Sequence, residues 1–262
     1  MKSIHLAVSA ALLALTTLHA NAAPSVSSGV SLSNFAVGVI DLTPSDGVAA
    51  WYQTKFDSGR AYANIASDNS PPWVVDTATT PRVASAAVSY GANSATAHAG
   101  MLEGEITTQI AADSGLEPGS LTEGAAWQSY VITVGAHTML TVSGHASAWA
   151  DKSAGSGALF DMYGSASAVL ADGVLWSEYS LDTDFNGAAP AGGSSQDFWL
   201  AYANTSDTEM KVNLGFEVQT GARVRVPSVL MPVPEPSSYA MLAAGLLLTG
   251  LAARRRKLRN PD

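Results

Sequence analysis

Between residues 211 and 219 apolar and polar side chains take turns. Val212, Leu214, Phe216 and Val218 alternate with Lys211, Asn213, Glu217 and Gln219. Successive side chains of an extended chain point to opposite faces, so this order buries one face of a β-strand and wets the other. The same period recurs upstream. Leu140, Val142, Gly144, Ala146 and Ala148 alternate with Thr141, Ser143, His145, Ser147 and Trp149, and Phe198, Leu200 and Tyr202 form a third set. Further strands are expected over 37–42, 49–54, 86–90 and 130–134, the last leading into a turn at Gly135-Ala136-His137-Thr138. Residues 99–113 read as either a strand or a short helix.

Turn chemistry separates these runs. Ser45-Asp46-Gly47, Asp57-Ser58-Gly59, Asp68-Asn69-Ser70-Pro71-Pro72, Glu117-Pro118-Gly119, Ala171-Asp172-Gly173 and Pro190-Ala191-Gly192-Gly193 carry the residues that turns favour. Many short strands joined by polar turns predict a mainly β protein: an antiparallel β-sandwich, jelly-roll-like, over residues 23–227. That length suffices for a core of its own. There is no cysteine, which rules out disulfides, thiol catalysis and thiolate metal sites.

The two ends read differently. Residues 1–22 hold Lys2, an apolar run over 6–18 and Ala20-Asn21-Ala22, the pattern of a secretory signal peptide removed by signal peptidase. At the other end, 228–236 form a linker that includes Val233, Pro234, Glu235 and Pro236. The prolines donate no backbone hydrogen bond and disfavour helix before them. Residues 237–253 carry no charge, and as a helix they span roughly 25 Å at about 1.5 Å per residue. Flanking basic side chains that snorkel bring such a helix to transmembrane length. Arg254, Arg255, Arg256, Lys257 and Arg259 follow in the tail 254–262. Positive charge beside a span stays cytoplasmic, which places everything before it outside the inner membrane.

This order of Pro-Glu-Pro motif, apolar span and basic stop resembles the PEP-CTERM sorting signal of Gram-negative bacteria. The resemblance implies export, anchoring in the inner membrane with a periplasmic ectodomain, and cleavage by an exosortase. Delivery to the cell surface or extracellular matrix of an exopolysaccharide-producing cell would follow. Exosortase is thereby the implied partner, with exopolysaccharide a further one.

The chain carries 13 basic and 22 acidic residues. Without the signal peptide and tail the counts are 7 and 20, a net charge of −13. Such a domain repels nucleic acid. None of the Gly-rich, metalloprotease or nucleophile-elbow motifs occurs. His137 and His145, eight apart, would stand roughly 27 Å from each other on one strand and could not share a metal. The carboxylate pairs Glu103/Glu105 and Asp182/Asp184 are the only hint of glycosidase chemistry, and solvated strand faces commonly show such pairs. Asp182, Asp184 and Asn186, ahead of Gly187, match the start of a calcium loop, although position twelve is Gly193 and not glutamate; Asp197 is the substitute ligand. An Asx-rich turn explains the same residues. Of six tryptophans, Trp73 and Trp176 sit nearest to turn residues and are the candidates for glycan stacking, while aromatic residues are ordinarily core.

The expectation is a non-enzymatic exported envelope or matrix protein. A calcium-assisted carbohydrate-binding module is the first alternative and a secreted hydrolase the second.

Overall fold

The computed structural model describes residues 23–67, 74–80, 83–100, 104–156, 159–186 and 191–225. Trp73, the signal peptide, the sorting motif, the apolar span and the basic tail lie outside the described residues. Among the described residues twelve strands are present: β1 (Ser25–Asp41), β2 (Tyr52–Ala66), β3 (Val74–Thr80), β4 (Ala84–Tyr90), β5 (Asn93–Ala99), β6 (Ile106–Asp113), β7 (Leu121–Val134), β8 (Thr138–Lys152), β9 (Phe160–Ala171), β10 (Trp176–Asp184), β11 (Ala191–Asn204) and β12 (Met210–Val224). Among the described residues no helix is long and apolar enough to cross a membrane. Within 99–113, where the sequence allows strand or helix, Ala99 ends β5 and residues 106–113 form strand β6.

The strands make two six-stranded antiparallel sheets, ordered β11-β8-β1-β6-β5-β4 and β10-β9-β12-β7-β2-β3. They pack as a sandwich, with β1 against β12, β6 against β7, and β5 against β2. Ladders nest across the two layers. β1 pairs β8 in the first sheet while β2 pairs β7 in the second, and the β7–β12 ladder of the second sheet encloses the β8–β11 ladder of the first in chain order. Most connections therefore cross between layers. Only β2–β3, β4–β5, β5–β6 and β9–β10 are hairpins within a sheet.

The core tapers. Beneath β4, β5 and β6 alanine predominates, with Ala84, Ala86, Ala95, Ala97, Ala99 and Ala112 facing Ala61, Ala63 and Ala126 beside the larger Val88, Ile106, Ile110 and Ile65. Side chains this short let the sheets close in: a Cβ at Gly124 would stand 2.8 Å from the Thr96 carbonyl oxygen of the opposite layer. Toward β8, β9 and β12 the filling is Leu140, Phe160, Met162, Leu170, Leu200, Leu214 and Phe216. A buried hydrogen bond of 2.7 Å between the Ser28 and Thr220 hydroxyls ties the layers near the middle.

Two β-bulges explain where sequence periodicity misleads. β1 runs for 17 residues, far beyond the expected 37–42. Its inward residues are Val26, Val30 and Leu32, then Phe35, Val37 and Val39. The parity change falls at a bulge between Ser33 and Ala36, where Asn34 adopts φ 57. An extra residue there lets Phe35 face the core while the ladder stays in step. In β2 the expected turn Asp57-Ser58-Gly59 is instead a second bulge, between Phe56 and Ser58. Likewise Ala191, Gly192 and Gly193 open strand β11 rather than a turn, because Gly193 pairs with Trp149 of β8. The turns at Ser45-Asp46-Gly47, Glu117-Pro118-Gly119 and Asp172-Gly173 are present, with Gly47, Gly119 and Gly173 at positive φ.

Asp172 organises the β9–β10 hairpin by accepting hydrogen bonds from the amides of Val174 and Leu175. Those bonds, joined by one of 2.8 Å from the Tyr202 hydroxyl, hold its carboxyl below the usual range. Burial first, and this bond second, push the Tyr202 phenol from 10.0 up to about 12. Burial and Glu123 raise Tyr163 as well. A raised tyrosine keeps its proton in the fold after the unfolded chain has lost it. Stability is therefore full below pH 10 and declines as pH rises toward 12. Urea midpoints at about pH 9 and about pH 11.5 should differ, and Tyr202→Phe should narrow the gap. Equal midpoints for the native chain would contradict this.

Candidate binding faces

Every described tryptophan stays out of the core, which corrects the expectation that most are core residues. Trp176 is 74% exposed, Trp199 61%, Trp51 41% and Trp149 38%; Trp127 is half-buried. The strand register explains why. In β8 the buried residues are Leu140, Val142, Ala146 and Ala148, so Trp149 shares the outward parity of His145 and Ser147. In β11, Trp199 lies between the buried Phe198 and Leu200. The alternation itself carried this signal.

Trp149 and Trp199 stand on the outer face of the first sheet. Adjacent strands place Gly29, Trp149 and Gly193 in one row, Ser31, Ser147 and Ser195 in the next, Ser33, His145 and Asp197 in a third, and Ser143 with Trp199 in a fourth. The indole of Trp149 rests on glycine: its Nε1, Cε2 and Cζ2 lie 2.7, 2.8 and 2.9 Å from where a Cβ on Gly29 would be. His145 Nδ1 is 2.7 Å from Asp197 Oδ1. A carboxylate only accepts, so Nδ1–H donates and, in the neutral ring, Nε2 is left as an acceptor. A second pair, His137 Nε2 to Asp207 Oδ1 at 2.8 Å, joins the β7–β8 turn to the β11–β12 connection. Neither pairing was foreseen, because partners 52 and 70 residues apart are joined only by the fold.

The outer face of the second sheet is more crowded. Arg60 lays its guanidinium over Trp127, 5.5 Å from the ring centroid. Tyr163 packs across Gly221 and donates a 2.6 Å hydrogen bond to Glu123, which also accepts from Gln219.

The Asp182 segment is a strand and not a loop. Asp182 and Asp184 project outward from β10 beside Ser165 and Tyr163 of β9. Asp184 Oδ1 accepts from the Asn186 amide at 2.8 Å, an Asx turn, and Asn186 Oδ1 accepts from the Met162 amide at 2.7 Å. Asp197 cannot complete a set with them, because it faces outward from the opposite sheet and binds His145. Among the described residues no group of three or more His, Cys, Asp or Glu side chains is placed to hold a metal ion. Glu103 lies outside the described residues, and Asp182 and Asp184 are both exposed. Trp176 opens β10, some six residues from the Asp182 carboxylate.

No curated protein and no solved structure matches this chain. The family model for the PEP-CTERM protein-sorting motif matches residues 232–257. That motif implies an exported protein that is anchored in the membrane and then processed by an exosortase. The sandwich supplies the cargo and residues 232–257 the address: the chain is a PEP-CTERM sorting-domain protein.

Proposed function

We infer that this protein is a non-enzymatic component of the cell envelope or extracellular matrix, delivered by its C-terminal signal. The match over residues 232–257 carries the inference. Signal peptidase removes 1–22, and the helix 237–253 holds the precursor in the inner membrane with its jelly-roll-like ectodomain in the periplasm. Arg254, Arg255, Arg256, Lys257 and Arg259 fix that orientation from the cytoplasmic side. Exosortase then engages Val233-Pro234-Glu235-Pro236 and releases the ectodomain to the surface or matrix. Replacing Pro234, Glu235 and Pro236 by alanine should leave the precursor in the membrane at full length. An immunoblot showing unchanged processing would count against this route.

A hydrolase needs carboxylates held in a cleft with their acidities set apart. The exposed Asp182 and Asp184 on an edge strand give little support for that.

A second reading, carbohydrate binding, is favoured by one observation: five tryptophans lie outside the core, four of them exposed. Large apolar side chains left on sheet faces commonly mark recognition surfaces. Calcium through Asp182, Asp184 and Asn186 is not required for it, since Asp184 and Asn186 already accept backbone hydrogen bonds.

A further inference from the structure

We propose that a neutral polysaccharide chain lies along β8 and β11 on the outer face of the first sheet, stacking sugar rings on Trp149 and Trp199. This rests on the carbohydrate reading and gives it a site other than Trp73, Trp176 or the Asp182 segment. Trp149 packs down onto Gly29, with a second glycine, Gly193, on its other side. At 38% exposure the indole keeps part of its surface open to a ligand, as a stacking platform requires. Trp199 is more exposed still. The paired register sets the two indoles six residues apart along the strands, roughly 20 Å at about 3.4 Å per residue, with one strand step between them.

The floor between them suits a hydroxylated ligand. Ser147, Ser195 and Ser143 are too short to obstruct a flat chain, and they offer donors and acceptors. The His145–Asp197 pair adds a ring nitrogen that accepts and carboxylate oxygens that accept. Carbohydrate C–H faces then meet the indoles while hydroxyls meet this polar row.

Charge selects the ligand class. The outward residues of β1, β8 and β11 include Asp151 and Asp197 but no lysine or arginine. An anionic polymer would be repelled by that face and by a domain of net charge −13. On the second sheet, by contrast, Arg60 covers Trp127.

The test is co-sedimentation of the full chain, in detergent, with microcrystalline cellulose, chitin and carboxymethyl cellulose. Retention on cellulose or chitin and not on the carboxymethylated matrix is expected. Trp149→Ala and Trp199→Ala should each weaken it about tenfold, Trp149→Tyr much less, and Trp176→Ala not at all. Urea midpoints should stay near the native value, since neither indole is in the core. Retention that survives both alanine variants overturns this site and leaves the carbohydrate reading standing. Retention on the carboxymethylated matrix alone overturns the neutral-chain assignment. Failure on all three matrices ends the carbohydrate reading itself. If ultracentrifugation then shows an oligomer that Trp149→Ala dissolves, the face binds a second copy instead.

Discussion

Gly104→Ala is expected to lower the unfolding free energy by about 3 kcal/mol or more, through two costs that add. Gly104 has φ +71, where an L side chain is strained by roughly 1–2 kcal/mol. Its missing Cβ would also stand 1.6 Å from Cδ2 of Phe35. Phe35 cannot retreat, because its ring packs edge-on against Phe216 at 4.2 Å and Phe198 at 5.5 Å. Overpacking of this kind costs about 1–3 kcal/mol. Gly47→Ala separates the two contributions. Gly47 has φ +76 but nothing within 4 Å of the added carbon, so it pays for strain alone. Urea denaturation of both variants checks the claim. If they lose equal stability, the contact with Phe35 contributes nothing.

That contact shows what was legible in the sequence and what was not. Strands β8, β11 and β12 announce themselves because Leu140, Leu200 and Leu214 fall at regular alternate positions among polar residues. β1 does not, because Ser28 and Gly29 are buried there with no apolar side chain to mark them, and because Asn34 shifts the parity halfway. An insertion that keeps Phe35 inward is invisible without its neighbours in space, since Gly104 and, on the partner strand, Gly144 give its ring room. Asp57-Ser58-Gly59 has turn composition for a related reason: a bulge demands the same backbone freedom.

The candidate faces were half legible. Parity alone puts Trp149 and Trp199 on the wet side of their strands, yet aromatic residues are so often core that composition argues the other way. Neighbourhood was not legible at all. Gly29 lies 120 residues before Trp149 in the chain and directly beside it in the sheet. The nested order of ladders brings them together, and that order depends on which of many β-pairings closes the sandwich. The address, in contrast, is local. Pro234-Glu235-Pro236, the apolar run and the arginines are contiguous, so no fold is needed to read them.

Replacing Gln128 by glutamate should make stability depend on pH. Its side chain is 2% exposed, at an inward position of β7 between Ala126 and Tyr130. The amide reaches across to the chain between β5 and β6: Nε2 donates to the Gly100 carbonyl at 2.8 Å and Oε1 accepts from the Gly104 amide at 3.0 Å. In Gln128→Glu, one carboxylate oxygen takes the place of Nε2 and faces the Gly100 and Glu105 carbonyls. Only the protonated acid can donate there, so burial and carbonyl repulsion both raise its acidity constant in the fold above the ordinary 4.3 or so. The sign follows: the folded state holds a proton that the unfolded chain has released, so stability is greatest below about pH 4.3 and falls as pH rises. At neutral pH the variant should be about 3–5 kcal/mol less stable than the native chain, as for an unpaired buried charge. Gln128→Met leaves the same backbone groups unmet, costing about 1–3 kcal/mol without a titrating group. Urea midpoints of all three proteins at about pH 5 and about pH 7.5 decide the matter. The glutamate variant should recover toward the methionine variant in acid and drop below it at the higher pH. Parallel behaviour of the two at both values would mean that the site admits water, and that Gln128 does not seal the two layers together.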